Sequence, residues 1–172
     1  MELLECRLEI DDLDAFVADL GPIGDRHGVT IQAFDARYVA DRAHLERAVE
    51  FAARAIERGE NVARDRAVEI LLYAAGRRQI DRALEMGVGE GETRAVVLVD
   101  GSGNSDVDAD GAAALDEIEG LEAFDKRAST LERQDSETLC DFFEITDTER
   151  AATVASLSAL VRERVALLEV EK

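Results

Sequence analysis

The stretch DRAHLERAVEFAARAIERGENVARDRAVEILLYAAG, residues 41–76, decides the fold class. Leu45, Ala48, Val49, Ala52, Ala55 and Ile56 recur at three- and four-residue intervals, so residues 41–58 are expected to form an amphipathic helix that stops at Gly59. Residues 67–75 are apolar on nearly every side, as a helix in the middle of a core would be, and Gly76 closes them. A further helix is expected over residues 78–86, with Ile80, Ala83 and Leu84 on one face.

This helical block is flanked by strand signals. Leu4, Cys6, Leu8 and Ile10 alternate with Glu5, Arg7 and Glu9, the period-2 mark of a half-buried strand over residues 2–10. Residues 29–34 read as a second strand and the apolar run 94–99 as a third. Asp11 or Asp12 caps a short helix bearing Leu13, Phe16, Val17 and Leu20, which Gly21-Pro22 should end. Beyond the third strand come a helix over residues 112–118, an apolar segment over 138–145 and a long helix over 148–168 with Ala151, Val154, Leu157, Val161, Val165 and Leu168 on one stripe. Two or three strands around a helical block imply an α+β fold, a two-layer domain with a small mixed sheet packed by several helices, with residues 1–172 as a single domain.

Composition narrows the setting. The chain carries 39 Asp and Glu against 20 Lys and Arg, a net charge of -19. Lysine occurs only at Lys126 and Lys172, whereas arginine occurs 18 times and alanine 27 times, the balance expected in a salt-saturated cytoplasm. At molar salt the Debye length falls to about 3 Å and screens the self-repulsion that such a charge creates. No apolar run nears the 18 or so residues that span a bilayer, and Glu2, Glu5 and Glu9 occupy the first residues in place of a basic leader, so neither a membrane span nor a secretory signal is expected. Cys6 and Cys140 lack metal or redox spacing and read as reduced, structural thiols of a cytoplasmic protein.

Against the bulk acidity, residues 61–82 hold Arg64, Arg66, Arg77, Arg78 and Arg82 with only Asp65, Glu69 and Asp81, a local balance of +2. Arg66, Glu69 and Tyr73 share a helical stripe, and Arg77 and Arg78 sit at the Gly76 elbow where the next helix begins. Arginines beside a helix N-terminus make a phosphate site, Gln79 can read a base edge and Tyr73 offers a stacking face. The alternative is that the arginines pair with abundant carboxylates and that Tyr73 fills a core edge.

The segment EILLYAAGRRQI, residues 69–80, preceded by Glu60-Asn61-Val62-Ala63, resembles the signature of the small tRNA-binding, kinase-regulating subunit of the KEOPS complex, the family that includes the eukaryotic TPRKB proteins; the ending ERVALLEV, residues 163–170, is similar to its closing helix. The acidity marks it as resembling a haloarchaeal member. The resemblance implies a non-catalytic subunit that holds the 3' CCA end of tRNA and contacts the complex's small atypical kinase, in support of threonylcarbamoyladenosine modification. The positions it implies for tRNA binding are Asn61, Arg64, Tyr73, Arg77, Arg78 and Gln79. No catalytic residue, metal ligand or cofactor is implied. Phosphate contacts weaken with a log-log salt slope of about -0.7 each on single strands, so in molar salt Tyr73 and Gln79, or apolar neighbours at the elbow, should matter more for affinity than the arginines.

Rival readings are weaker. Asp106, Asp108, Asp110, Gly111 and Glu117 fit the spacing of a calcium loop, but a strand and a Gly-rich loop precede them where a helix belongs. A flexible acidic loop whose Asp108 or Asp110 caps the next helix is the plainer reading. His27, expected in a loop, and His44, expected in solvent on a helix, have no ligand spacing, and no nucleophile elbow or P-loop occurs. Glycines 87, 89 and 91 precede a strand and read as a turn. The alternative function is a protein-interaction adaptor without RNA binding, for which Leu160 and Leu167 widen the apolar surface of the last helix.

Overall fold

The computed structural model describes residues 1–103 and 106–171. Asn104 and Ser105, within the expected Gly-rich loop, lie outside them. The chain divides into two compact units, Met1–Ala36 with Gly87–Thr130, and Arg37–Met86 with Leu131–Lys172. The α+β class holds, with eight α-helices and four strands among the described residues.

The first unit is a sheet covered by helices. Strands β1 (Glu2–Ile10), β2 (Thr30–Asp35), β3 (Gly91–Asp100) and β4 (Phe124–Arg127) lie in the order β2-β3-β1-β4. Every pairing is antiparallel, so the sheet is not mixed as expected. The alternation read from residues 2–10 sets the register: Leu4 lies opposite Val97 and Cys6 opposite Ala95, and both pairs are buried. Strand β4 escapes a reading by periodicity, because its four residues FDKR are mostly exposed and pair with β1 across an irregular register.

Helix α1 (Leu13–His27) and helix α5 (Gly111–Glu119) pack on the sheet face that carries Leu4, Leu8, Ala95 and Val97, contributing Phe16, Leu20, Ile23, Ala114 and Ile118 to one core cluster. Asp12 caps α1 by accepting from the Ala15 N–H, but the helix runs through Gly21-Pro22 instead of ending there. Pro22 removes one amide donor on an exposed face, where water can take the freed carbonyl of Ala18. The stop is Gly28 at φ 65, where a Cβ would lie 2.3 Å from the Val107 carbonyl oxygen. His27 is therefore the last helical residue and not part of a loop.

The second unit is helical: α2 (Arg42–Arg58), α3 (Arg66–Ala75), α4 (Ile80–Ala83), α6 (Ser136–Phe143), α7 (Asp147–Ala151) and α8 (Leu157–Glu171). Asp41 and Gly59 bound α2 as its sequence foretells. Helix α3 is buried continuously from Glu69 to Ala75 and packs against α2 and α8. The expected helix 148–168 is two helices instead, since residues 152–156 leave the helical path and Val154 is fully exposed. Ala151 and Val154 thus drop out of the stripe, while Leu157, Val161, Val165 and Leu168 stay buried in α8.

Candidate functional site

The elbow between α3 and α4 is built by local rules. Asp65 accepts from the Ala67 and Val68 amides and opens α3. Gly76, at φ 62, closes it, and the Arg77 N–H reaches back to the Leu72 carbonyl at 3.1 Å, a glycine-type C-cap. A Cβ on Gly76 would lie 3.1 Å from the Arg164 carbonyl oxygen of α8, so the end of α3 is packed as well as turned. The loop before α3 is held by Glu69, wholly buried, whose carboxylate accepts from the amides of Val62 at 3.1 Å and Ala63 at 3.0 Å.

The six expected site residues divide into two groups. Arg64, Arg78 and Gln79 are exposed. Asn61 donates to the Ala63 carbonyl at 2.8 Å and so shapes the loop. Tyr73 is 1% exposed and stacked on Phe51, with ring centroids 5.9 Å apart and planes 24° from parallel. Its ring therefore fills the core, and the stripe it shares with Glu69 faces inward, leaving no stacking face for a base in this conformation. Arg77 is also turned inward: its Nη2 donates to the Phe142 carbonyl, and its guanidinium lies 5.0 Å from the Phe142 ring centroid.

The sequence places Ile80, Ala83 and Leu84 on one face of a helix, and of the three only Ala83 is buried. Ile80 is 44% and Leu84 57% exposed, because α4 is a single four-residue turn that tightens into a 3-10 turn over Leu84–Met86. The signal was available in the neighbours, since Arg78, Asp81, Arg82 and Glu85 leave little apolar width for such a short helix to bury. The elbow consequently presents arginine, amide and aliphatic side chains together, a surface able to meet a phosphate, a base edge and a base face.

Two residues of the calcium-loop pattern, Asp110 and Glu117, are otherwise engaged. Glu117, twelfth in the calcium-loop pattern, accepts from Arg26 at 2.9 Å and contacts His27 Nε2 at 2.6 Å. The hydrogen bond from Arg26, and after it that from His27, holds its carboxyl below the usual range. Asp110 caps α5 through the Ala113 amide. Among the described residues no cluster of three His, Cys, Asp or Glu side chains is placed to hold a metal ion. His44 is fully buried, not solvent-exposed as expected: Nδ1 accepts from the Ala40 amide at 3.1 Å and Nε2 bonds the Ala74 carbonyl at 2.8 Å. Desolvation lowers its pKa to about 4, so it is a neutral tie between α2 and α3. Burial, followed by the charge of Glu119, pushes the Cys6 thiol up to about 12, which leaves it unreactive.

Among the described residues no helix is long and apolar enough to cross a membrane. A family model described as kinase binding protein CGI-121 matches residues 19–169. A comparison with curated proteins finds no match.

Proposed function

The chain belongs to the kinase binding protein CGI-121 family, and from that membership we propose that it is a non-catalytic KEOPS subunit that contacts the complex's small atypical kinase and holds the 3' CCA end of tRNA. In this role it supports threonylcarbamoyladenosine modification in the cytoplasm of a salt-accumulating archaeon. The family match runs through both compact units, which supports treating residues 1–172 as one functional domain.

The observation that carries the RNA part is the exposure of Arg64, Arg78 and Gln79 beside Ile80 and Leu84 in a locally positive stretch of an acidic chain. In molar salt the phosphate contacts of Arg64 and Arg78 contribute little, so Gln79 and the two aliphatic side chains carry more of the affinity by meeting an unpaired end. With Tyr73 in the core, it is the apolar neighbours of the elbow that take the base-facing role.

Binding of the full chain to tRNA with an intact 3' CCA, and to the same tRNA trimmed of it, tests this in molar potassium chloride. Binding lost on trimming and weakened by Gln79→Ala is the expected result. Equal binding to both RNAs, or none to either, refutes end recognition and leaves a kinase-docking adaptor without RNA.

A further inference from the structure

We propose that Arg77 is a positioning residue of the elbow and not an RNA contact, and that the C-terminus of α6 is its socket. This rests on the RNA-binding reading above.

The last turn of a helix leaves carbonyls without intrahelical partners and carries the negative end of the helix dipole. At the end of α6 two arginines, one from the elbow after α3 and one from α8, take three successive carbonyls. Arg77 donates to that of Phe142, while Arg164 of α8 donates from Nε to Phe143 at 3.1 Å and from Nη2 to Glu144 at 3.2 Å. Glu144 is the one non-glycine residue at positive φ among the described residues, at 55°, in the bend where these carbonyls are taken up. Glu149 holds the far side of the Arg164 guanidinium at 2.6 and 3.0 Å.

Arg77 is committed to this socket on several counts. Its side chain is 18% exposed, its guanidinium faces the Phe142 ring, and Nη1 lies 3.8 Å from the Glu144 carboxylate. Its Nε is buried with no hydrogen-bond partner among the described residues, so that donor is desolvated already. To meet a phosphate it would have to leave a helix-end carbonyl and a ring face at once, whereas the adjacent Arg78 is exposed. Neighbouring arginines therefore split the work: one anchors the backbone at residue 77 and the next points outward. With Gly76 against Arg164 on the same stretch, Arg78 and Gln79 are held in place before any ligand arrives, which reduces the ordering cost of binding.

The test compares tRNA affinity across a potassium chloride series for the wild type, Arg78→Ala, Arg77→Ala, Arg77→Lys and Phe142→Leu. Arg78→Ala should reduce the log-log salt slope by about 0.7, the loss of one phosphate contact. Arg77→Ala and Phe142→Leu should each weaken binding by about tenfold, equivalent to about 1.4 kcal/mol, with the slope unchanged. Arg77→Lys should not rescue, because lysine keeps the charge but loses the planar fork. A flattened slope in Arg77→Ala, or full rescue by lysine, overturns the assignment and makes Arg77 a direct contact. Hydrogen exchange of the amides of residues 77–80 without RNA is the independent arm: faster exchange in Phe142→Leu is expected, and unchanged exchange refutes the socket even if RNA binds. Failure of the wild type to bind tRNA removes the RNA reading alone and leaves this second arm decisive.

Discussion

Acid should weaken this protein through His44, which is buried in its neutral form. Nδ1 accepts from the Ala40 amide and Nε2 donates to the Ala74 carbonyl, so protonation at Nδ1 would set two donors against each other inside a fully buried site. Desolvation is the largest cause of the lowered pKa, Arg162 adds to it, and the Ala74 hydrogen bond and Asp41 oppose it. In the unfolded chain the imidazole titrates near its ordinary 6.5, and in the folded chain near 4. Between these values the unfolded state binds more protons, so stability falls as pH drops below 6.5 and the loss is complete below about 4. At about 1.4 kcal/mol per pH unit the loss is about 3 kcal/mol, a large share of a typical domain's margin. Because many carboxylates titrate in the same range, the reference is His44→Gln, which keeps a donor for Ala74 and cannot titrate. Denaturant unfolding of both proteins at pH 7.5, 5.5 and 4 in molar potassium chloride should show the wild type losing about 3 kcal/mol more than the variant. Parallel pH profiles would refute the reasoning, since they would mean that His44 is solvated or already charged in the fold.

Gly76→Ala forces a side chain into the left-handed region and against the Arg164 carbonyl 3.1 Å away, and should cost about 1 to 2 kcal/mol, read as a lower thermal midpoint. An unchanged midpoint would mean that the elbow relaxes freely. Tyr73→Phe should leave tRNA affinity unchanged while lowering stability by about 1 kcal/mol, because the ring is packed on Phe51 and only the hydroxyl is lost. A selective loss of RNA binding with stability intact would instead return Tyr73 to the ligand surface. The melting temperature should rise steadily from 0.1 to 2 M potassium chloride, because salt screens a net charge of -19. A flat profile would show that the charge is already neutralised by its ion pairs.

The features legible in the sequence were those set by neighbours along the chain. Asp41, Asp65, Gly59 and Gly76 bound their helices where local capping chemistry puts them, and the alternation of residues 2–10 gave the strand and its inward face. The expected end of α1 at Gly21-Pro22 failed because a proline on an exposed helix face loses only a bond that water replaces. Strand β4 was missed because its four residues carry no apolar pattern and pair only through β1.

At the elbow the sequence determined which residues gather, and the tertiary structure decided which way each one faces. The positive island, the glycine turn and the family signature are all consecutive in the chain. Arg77 and Arg78 have the same chemistry and adjacent positions, so nothing local tells them apart. They are separated by the Phe142 carbonyl and ring, 65 residues away from Arg77, which claim that arginine, while Arg78 stays exposed. The same holds for Tyr73 and for His44: Phe51 across the helix pair buries the ring, and burial against α3, whose Ala74 carbonyl lies 30 residues on, keeps the imidazole neutral by desolvation. Helix periodicity and capping act over a few residues and can be read from order alone, whereas burial and charge state depend on partners that only the folded chain brings within reach.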